Sequence, residues 1–103
     1  RRSREIRVEA GGKVFIVLRP TTMDMIELQG KSAARAILPH IIGWEGVTGL
    51  DLYPGGDGAP VGFDADACAE WLSDRVDLLG PIAQAAVDAY DAHRQRIEDD
   101  AKN

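Results

Sequence analysis

The sequence predicts an α+β domain: an N-terminal β-hairpin, then a small bundle of three to four helices with a glycine-rich loop or short hairpin in the middle. Three observations carry that reading. Residues 5–10 alternate charged and apolar side chains and run into Gly11-Gly12. Apolar residues then recur at helical spacing, first between Met23 and Ile41 and again between Leu79 and Ile97. Between those stretches lies a segment dense in glycine and proline.

In the hairpin, Ile6, Val8 and Ala10 alternate with Glu5, Arg7 and Glu9, the period of a half-buried strand. Gly11-Gly12 supplies the positive φ of a tight turn. Residues 14–18 are apolar throughout, so the second strand is expected to be covered on both faces and to end at Pro20. The hairpin thus occupies 1–20.

A helical segment is expected over 21–43. Thr21 and Asp24 have the spacing that satisfies free amides at a helix start. Met23, Ile26, Ala33, Ile37 and Ile41 share a helical face, with a break expected near Gly30 and a kink at Pro39. The spacing predicts one broken helix or two short ones, with Gly43 as the C-cap. Residues 44–63 read as a loop in which 50–53 and 61–63 have the makings of short strands. Gly46 turns the chain, and Trp44 is expected to plug the core where helix passes to loop. Asp64 is a good N-cap for the next helix, with Asp66 in its first turn and Ala67, Trp71 and Leu72 facing inward. A last helix is expected from about Asp77 to the high nineties, completing 64–99, with Pro81 in its first turn. Its inner face holds Leu79, Ile82, Ala83, Ala86, Tyr90, His93 and Ile97. Residues 100–103 are expected as a loose polar tail.

A chain of 103 residues suits one domain, and 45% hydrophobic with 28% charged residues is ordinary for a globular protein. A net charge of −5 argues against phosphate-backbone binding, so no nucleic-acid partner is expected. Four of the twelve basic residues, Arg1, Arg2, Arg4 and Arg7, crowd the N-terminus, which reads as a solvated end, with a basic arm for nucleic acid or an acidic protein as the alternative. Cys68 is the only cysteine, so no internal disulfide forms, which fits a reducing cytoplasm. The longest charge-free run, 78–87, is ten residues against the roughly 20 that span a bilayer, so no membrane segment is expected. No apolar leader follows Arg1.

Several motifs tempt and fail. Gln29-Gly30-Lys31-Ser32 resembles the end of a phosphate loop, but Met25 stands where the other glycine belongs. Residues 55–62 have the glycine density of a dinucleotide loop without its spacing, because Val61 replaces the third glycine. Asp57, Asp64 and Asp66 lack calcium-loop spacing, so no metal is expected. His40, His93 and Cys68 stand in no local catalytic arrangement, and Cys68 among alanines reads as a small buried residue. No catalytic residue, cofactor site or enzymatic activity is expected.

The order of three features resembles a known family. Trp44-Glu45-Gly46-Val47 follows a helix, 57–63 reads Asp-Gly-Ala-Pro-Val-Gly-Phe, and two helices lead to Lys102-Asn103. This resembles the small tail assembly chaperones of long-tailed phages and prophages. There a tryptophan-glycine-valine segment leads into an Asp-Gly-x-Pro-x-x-Phe turn and a helix, and the chain closes on Lys-Asn. Gly43, Trp44, Gly46 and Val47 are the fold markers of that resemblance. The link over 48–56 departs from it by its length.

The resemblance implies a non-catalytic assembly factor in the bacterial host cytoplasm, absent from the mature virion. It implies binding to the tape-measure protein and recruitment of tail-tube subunits. Apolar residues that the core does not consume are the candidate contacts: Met23, Met25, Ile26 and Leu28 on the first helix, Tyr90 and Ile97 on the last. Methionine suits an adaptable surface. A homo-oligomer is compatible with such a face. A structural tail or connector component and a small bacterial adaptor remain alternative readings.

Overall fold

A computed structural model describes residues 2–102. After a 3-10 turn at Arg2–Arg4, strands β1 (Glu5–Ala10) and β2 (Lys13–Leu18) form the expected antiparallel hairpin. Gly11 and Gly12 take φ values of 58° and 77°, the left-handed conformation that such a turn requires. Gly11 has a second constraint, since a Cβ there would collide with the Leu78 side chain.

Helix α1 (Thr22–Glu27) begins at the reciprocal cap expected from the sequence. The Thr21 amide donates to Asp24 Oδ2 at 2.8 Å, and the Asp24 amide donates to Thr21 Oγ1 at 3.1 Å. Gly30, at φ 79°, separates it from α2 (Ala33–Ile37), so the helical segment is two short helices. Pro39 then stops regular helix, and Leu38–His40 form a 3-10 turn.

From Ile41 onward the chain departs from the expected helix. Ile41–Glu45 is a third strand, β3, paired antiparallel with β2 to give the order β1-β2-β3. Gly43 is therefore a strand residue, not a helix C-cap, and Ile41 packs from the sheet. Ile16 pairs with Gly43 and Val17 with Ile41, so Ile42 is the extra residue of a bulge. The bulge brings Gly43 against Ile16, whose Cγ1 would lie 3.3 Å from any Cβ placed there.

Residues 50–53 are not a strand either. Gly49–Leu52 form a one-turn helix, α3, and 61–63 pair with nothing beyond a single bridge between Thr48 and Pro60. The cause is a second cap: Asp51 Oδ2 accepts from the Thr48 amide at 2.8 Å and from its hydroxyl at 3.1 Å. Helix α4 (Ala65–Ser73) starts at Asp64, whose carboxylate accepts from the Asp66 and Ala67 amides. Helix α5 runs from Val76 to Lys102, so residues 100–102 are helical and not a loose tail; Asn103 lies outside the described residues. Pro81 stands in its second turn, deeper than expected, and supplies no amide to the Asp77 carbonyl.

The core lies between one face of the sheet and the helices. Val8, Phe15 and Trp44 pair in a row across the three strands, backed by Val17 and Ile41. Leu78, Leu79, Ile82, Ala83 and Ala86 of α5 pack into the same cluster, as do Cys68 and Leu72 of α4 and Ile37 of α2. The other face of β2 is only half-covered at Val14, Ile16 and Leu18, against the expectation of two covered faces. Across that side the Arg7 guanidinium reaches from β1 to Glu45 on β3, a two-point ion pair at 2.7 and 2.9 Å.

Replacing Gly11 by alanine forces a side chain into both a left-handed φ and the Leu78 contact. A loss of about 1–3 kcal/mol in unfolding free energy is expected by urea titration, while the same change at Gly12, open on all sides, costs less.

Candidate functional site

Four of the six aromatic side chains meet where sheet, loop and α4 join. The Trp44 ring lies edge-on to Phe63 at 5.1 Å and to Trp71 at 6.0 Å, and Phe15 lies 6.1 Å from Trp71. The Trp44 indole N–H donates to the Val61 carbonyl at 2.7 Å, and the Val61 amide donates to the Val47 carbonyl at 2.9 Å. Val47 is buried, and Gly46 turns the chain at φ 83°. The segments 44–47 and 57–63, which carry the family resemblance, are thus bonded to each other. This cluster is a structural joint, and it consumes its own polar groups.

The candidate contact residues divide. Met23 and Ile26 stand exposed on α1, at 63% and 54%, and Ile97 on α5 at 55%. Met25 and Leu28 are half-buried. Tyr90 belongs to the core at 8% exposure, and its hydroxyl donates to Thr22 Oγ1 at 3.3 Å, fixing α1 beside α5. Ile97 lies two turns beyond Tyr90 on the same stripe of α5, past the last buried residue of that helix among those described.

Cations gather between these positions. Arg4 donates to the Arg19 carbonyl at 3.2 Å, and Arg19 donates to the Pro20 carbonyl at 2.8 Å. Burial, then the nearby Arg4 and Arg96, depress the Arg19 pKa; the Tyr90 phenol opposes them. His93 is held below its usual value by desolvation and by Arg19 and Arg96. Asp24 lies 3.9 Å from Arg4. Its carboxyl is depressed by the Thr21 amide first, despite some burial, with the Thr21 hydroxyl, His40 and Arg4 adding to the effect. Between α1 and α2 a concavity of about 720 Å³ opens, with Leu28, Ala36 and Pro39 among charged neighbours such as Glu27, Lys31 and Arg35.

A second surface is one that the sequence did not suggest. Leu50, Tyr53 and Val76 are exposed at 64%, 57% and 69%. Of these, Tyr53 lines a groove of about 540 Å³ between α3 and α4, together with the half-buried Leu52, Ala67 and Trp71. Asp66, Glu70 and Asp74 line it at four-residue spacing, an arrangement of like charges that costs about 0.2–0.5 kcal/mol per pair on a helix. The signal for α3 was present in Thr48-x-x-Asp51, the same spacing as at Thr21 and Asp24.

Burial raises the Cys68 thiol pKa to about 11, so it stays protonated at neutral pH and is a poor nucleophile. His40 Nδ1 lies 3.3 Å from the Leu18 carbonyl. Among the described residues no three His, Cys, Asp or Glu side chains gather as a metal site, and no helix is long and apolar enough to cross a membrane. No family model, curated protein or solved structure matches the chain.

Because the folded state holds the Asp24 carboxyl below its ordinary value of 3.8, its contribution is present above that pH and is lost as pH falls through the lower, folded pKa. Acid titration of thermal stability is expected to show this loss below about pH 4, with a shallower slope in Asp24→Asn.

Proposed function

We propose that this protein is a non-catalytic assembly chaperone for the tails of long-tailed phages or prophages. It acts in the host cytoplasm, binds the tape-measure protein, and recruits tail-tube subunits. The observation that carries the reading is that three of the large apolar side chains left outside the core stand on α1 and α5: Met23, Ile26 and Ile97. A tape-measure helix has apolar faces that need cover before the tail closes around it. Laying such a helix across α1 and the distal part of α5 buries both apolar surfaces, the helix-in-groove mode of recognition. Methionine at the centre of the contact adapts to varied partners.

The chaperone family enters through the motif order. Its support is that 44–47 and 57–63 are bonded into one joint, as expected of residues that mark a fold together. The cationic group of Arg4, Arg19 and Arg96 beside the apolar positions adds a polar rim that selects for acidic residues on the bound helix.

Coexpression with the tape-measure and tail-tube proteins of the same phage or prophage tests the reading. Tape-measure fragments are expected to stay soluble and to copurify with the chain. The double change Met23→Asp with Ile26→Asp should lower that affinity by about tenfold or more while leaving the melting temperature within a few degrees, since both side chains are exposed. Capture of neither partner, with both expressed in soluble form, would sink the proposal. Retention of the chain in purified virions would favour a structural tail component instead.

A further inference from the structure

The groove between α3 and α4 has a chemistry unlike that of the α1 face. It is lined by Leu52, Ala67 and Trp71, and by Tyr53, which is 57% exposed. Two of its charges are already spent within the molecule: Asp51 pairs with Lys13 at 3.1 Å, and Arg75 with Asp77 at 2.9 Å. Asp66, Glu70 and Asp74 make no ion pair among the described residues. They follow one line of α4, and Asp74 sits at its C-terminal end, where the helix dipole repels an anion. No basic residue stands in that last turn to offset it. An apolar, aromatic concavity is therefore bordered by three carboxylates, of which only Asp66, in the first turn of α4, is favoured by the helix dipole.

We propose that this groove docks a basic amphipathic helix of a partner protein. Lysine or arginine side chains at four-residue spacing meet Asp66, Glu70 and Asp74, and an apolar residue between them settles on Tyr53 and Trp71. Arginine gains further, because its guanidinium stacks on aromatic faces. Arg75, at the start of α5, and Tyr90, beside α1, are separated by about 22 Å of helix at 1.5 Å per residue, so the two surfaces accept different occupants together. The inference stands on the groove alone and does not rest on the tail-assembly reading.

The test is a titration of the isotope-labelled full chain with a synthetic leucine-lysine amphipathic helix, monitored through amide shifts. A matched peptide with glutamate for every lysine serves as its counterpart. Shifts centred on Leu52, Tyr53, Ala67 and Trp71 are expected with the basic peptide and none with the acidic one. Combining Asp66→Asn, Glu70→Gln and Asp74→Asn should weaken binding by about tenfold or more. Combining Asp88→Asn, Asp91→Asn and Glu98→Gln, which removes equal charge from α5, should change it little. All six side chains are exposed, and unchanged melting temperatures check that both variants remain folded. Equal weakening by the two variants, shifts spread over every acidic surface, or binding indifferent to Tyr53→Ala would overturn the proposal. So would the same shifts arising from protein concentration alone, which would make the occupant a second copy of this chain.

Discussion

Everything after residue 40 depends on how Trp44 is buried. An indole brings a large apolar area and one N–H that cannot be left without a partner. Here the ring continues the row of Val8 and Phe15 across the sheet, and the N–H is satisfied by Val61 from seventeen residues further on. With the Val61 amide bonded to the Val47 carbonyl and the bridge between Thr48 and Pro60, that bond holds the 48–63 loop back against the end of β3. Trp71 then closes on the same ring from α4, and Phe15 closes on Trp71 from β2. Sheet, loop and helix are thereby fixed by contacts among four aromatic side chains in a chain otherwise poor in them. Gly46 and the bulge at Ile42 are the backbone adjustments that let the ring face inward while the chain reverses.

The hairpin was legible because both of its signals are local: alternation over six residues and a pair of glycines. The caps at Thr21 and Asp64 were legible for the same reason. Strand β3 was not, because Ile41 continues a helical spacing from Ile37, and only pairing with β2, far back in the chain, makes it a strand. Helix α3 was hidden by the glycines and prolines around it, although its Thr48-Asp51 pair was in plain view. The candidate contacts show the limit more sharply. Tyr90 and Ile97 lie on one stripe, yet one is buried and the other exposed, because burial along α5 stops at Tyr90 among the described residues. Periodicity reports which side of a helix is apolar; it does not report how far the neighbouring layer extends.

The excess of negative charge is not evenly spread. Arg4, Arg19 and Arg96 collect near the base of the hairpin, while Asp66, Glu70 and Asp74 line the groove beside α3. The formal charge of −5 therefore conceals a local cluster of arginines and a separate local cluster of carboxylates. Long-range attraction orients such a molecule before contact, and salt weakens that orientation more than it weakens the apolar contacts made afterwards.

Helix α5 has 27 residues, about 40 Å at 1.5 Å per residue, but its buried residues all fall between Leu78 and Tyr90. A helix held along only part of its length is not one cooperative unit. Its backbone amides should exchange with solvent in a gradient, slowest where the side chains enter the core and fastest toward Lys102. Fraying at the far end costs little conformational free energy and leaves the aromatic joint untouched. The protein can thus vary the effective length of its longest element without unfolding, and a surface resting on that end would be stiffened by whatever covers it.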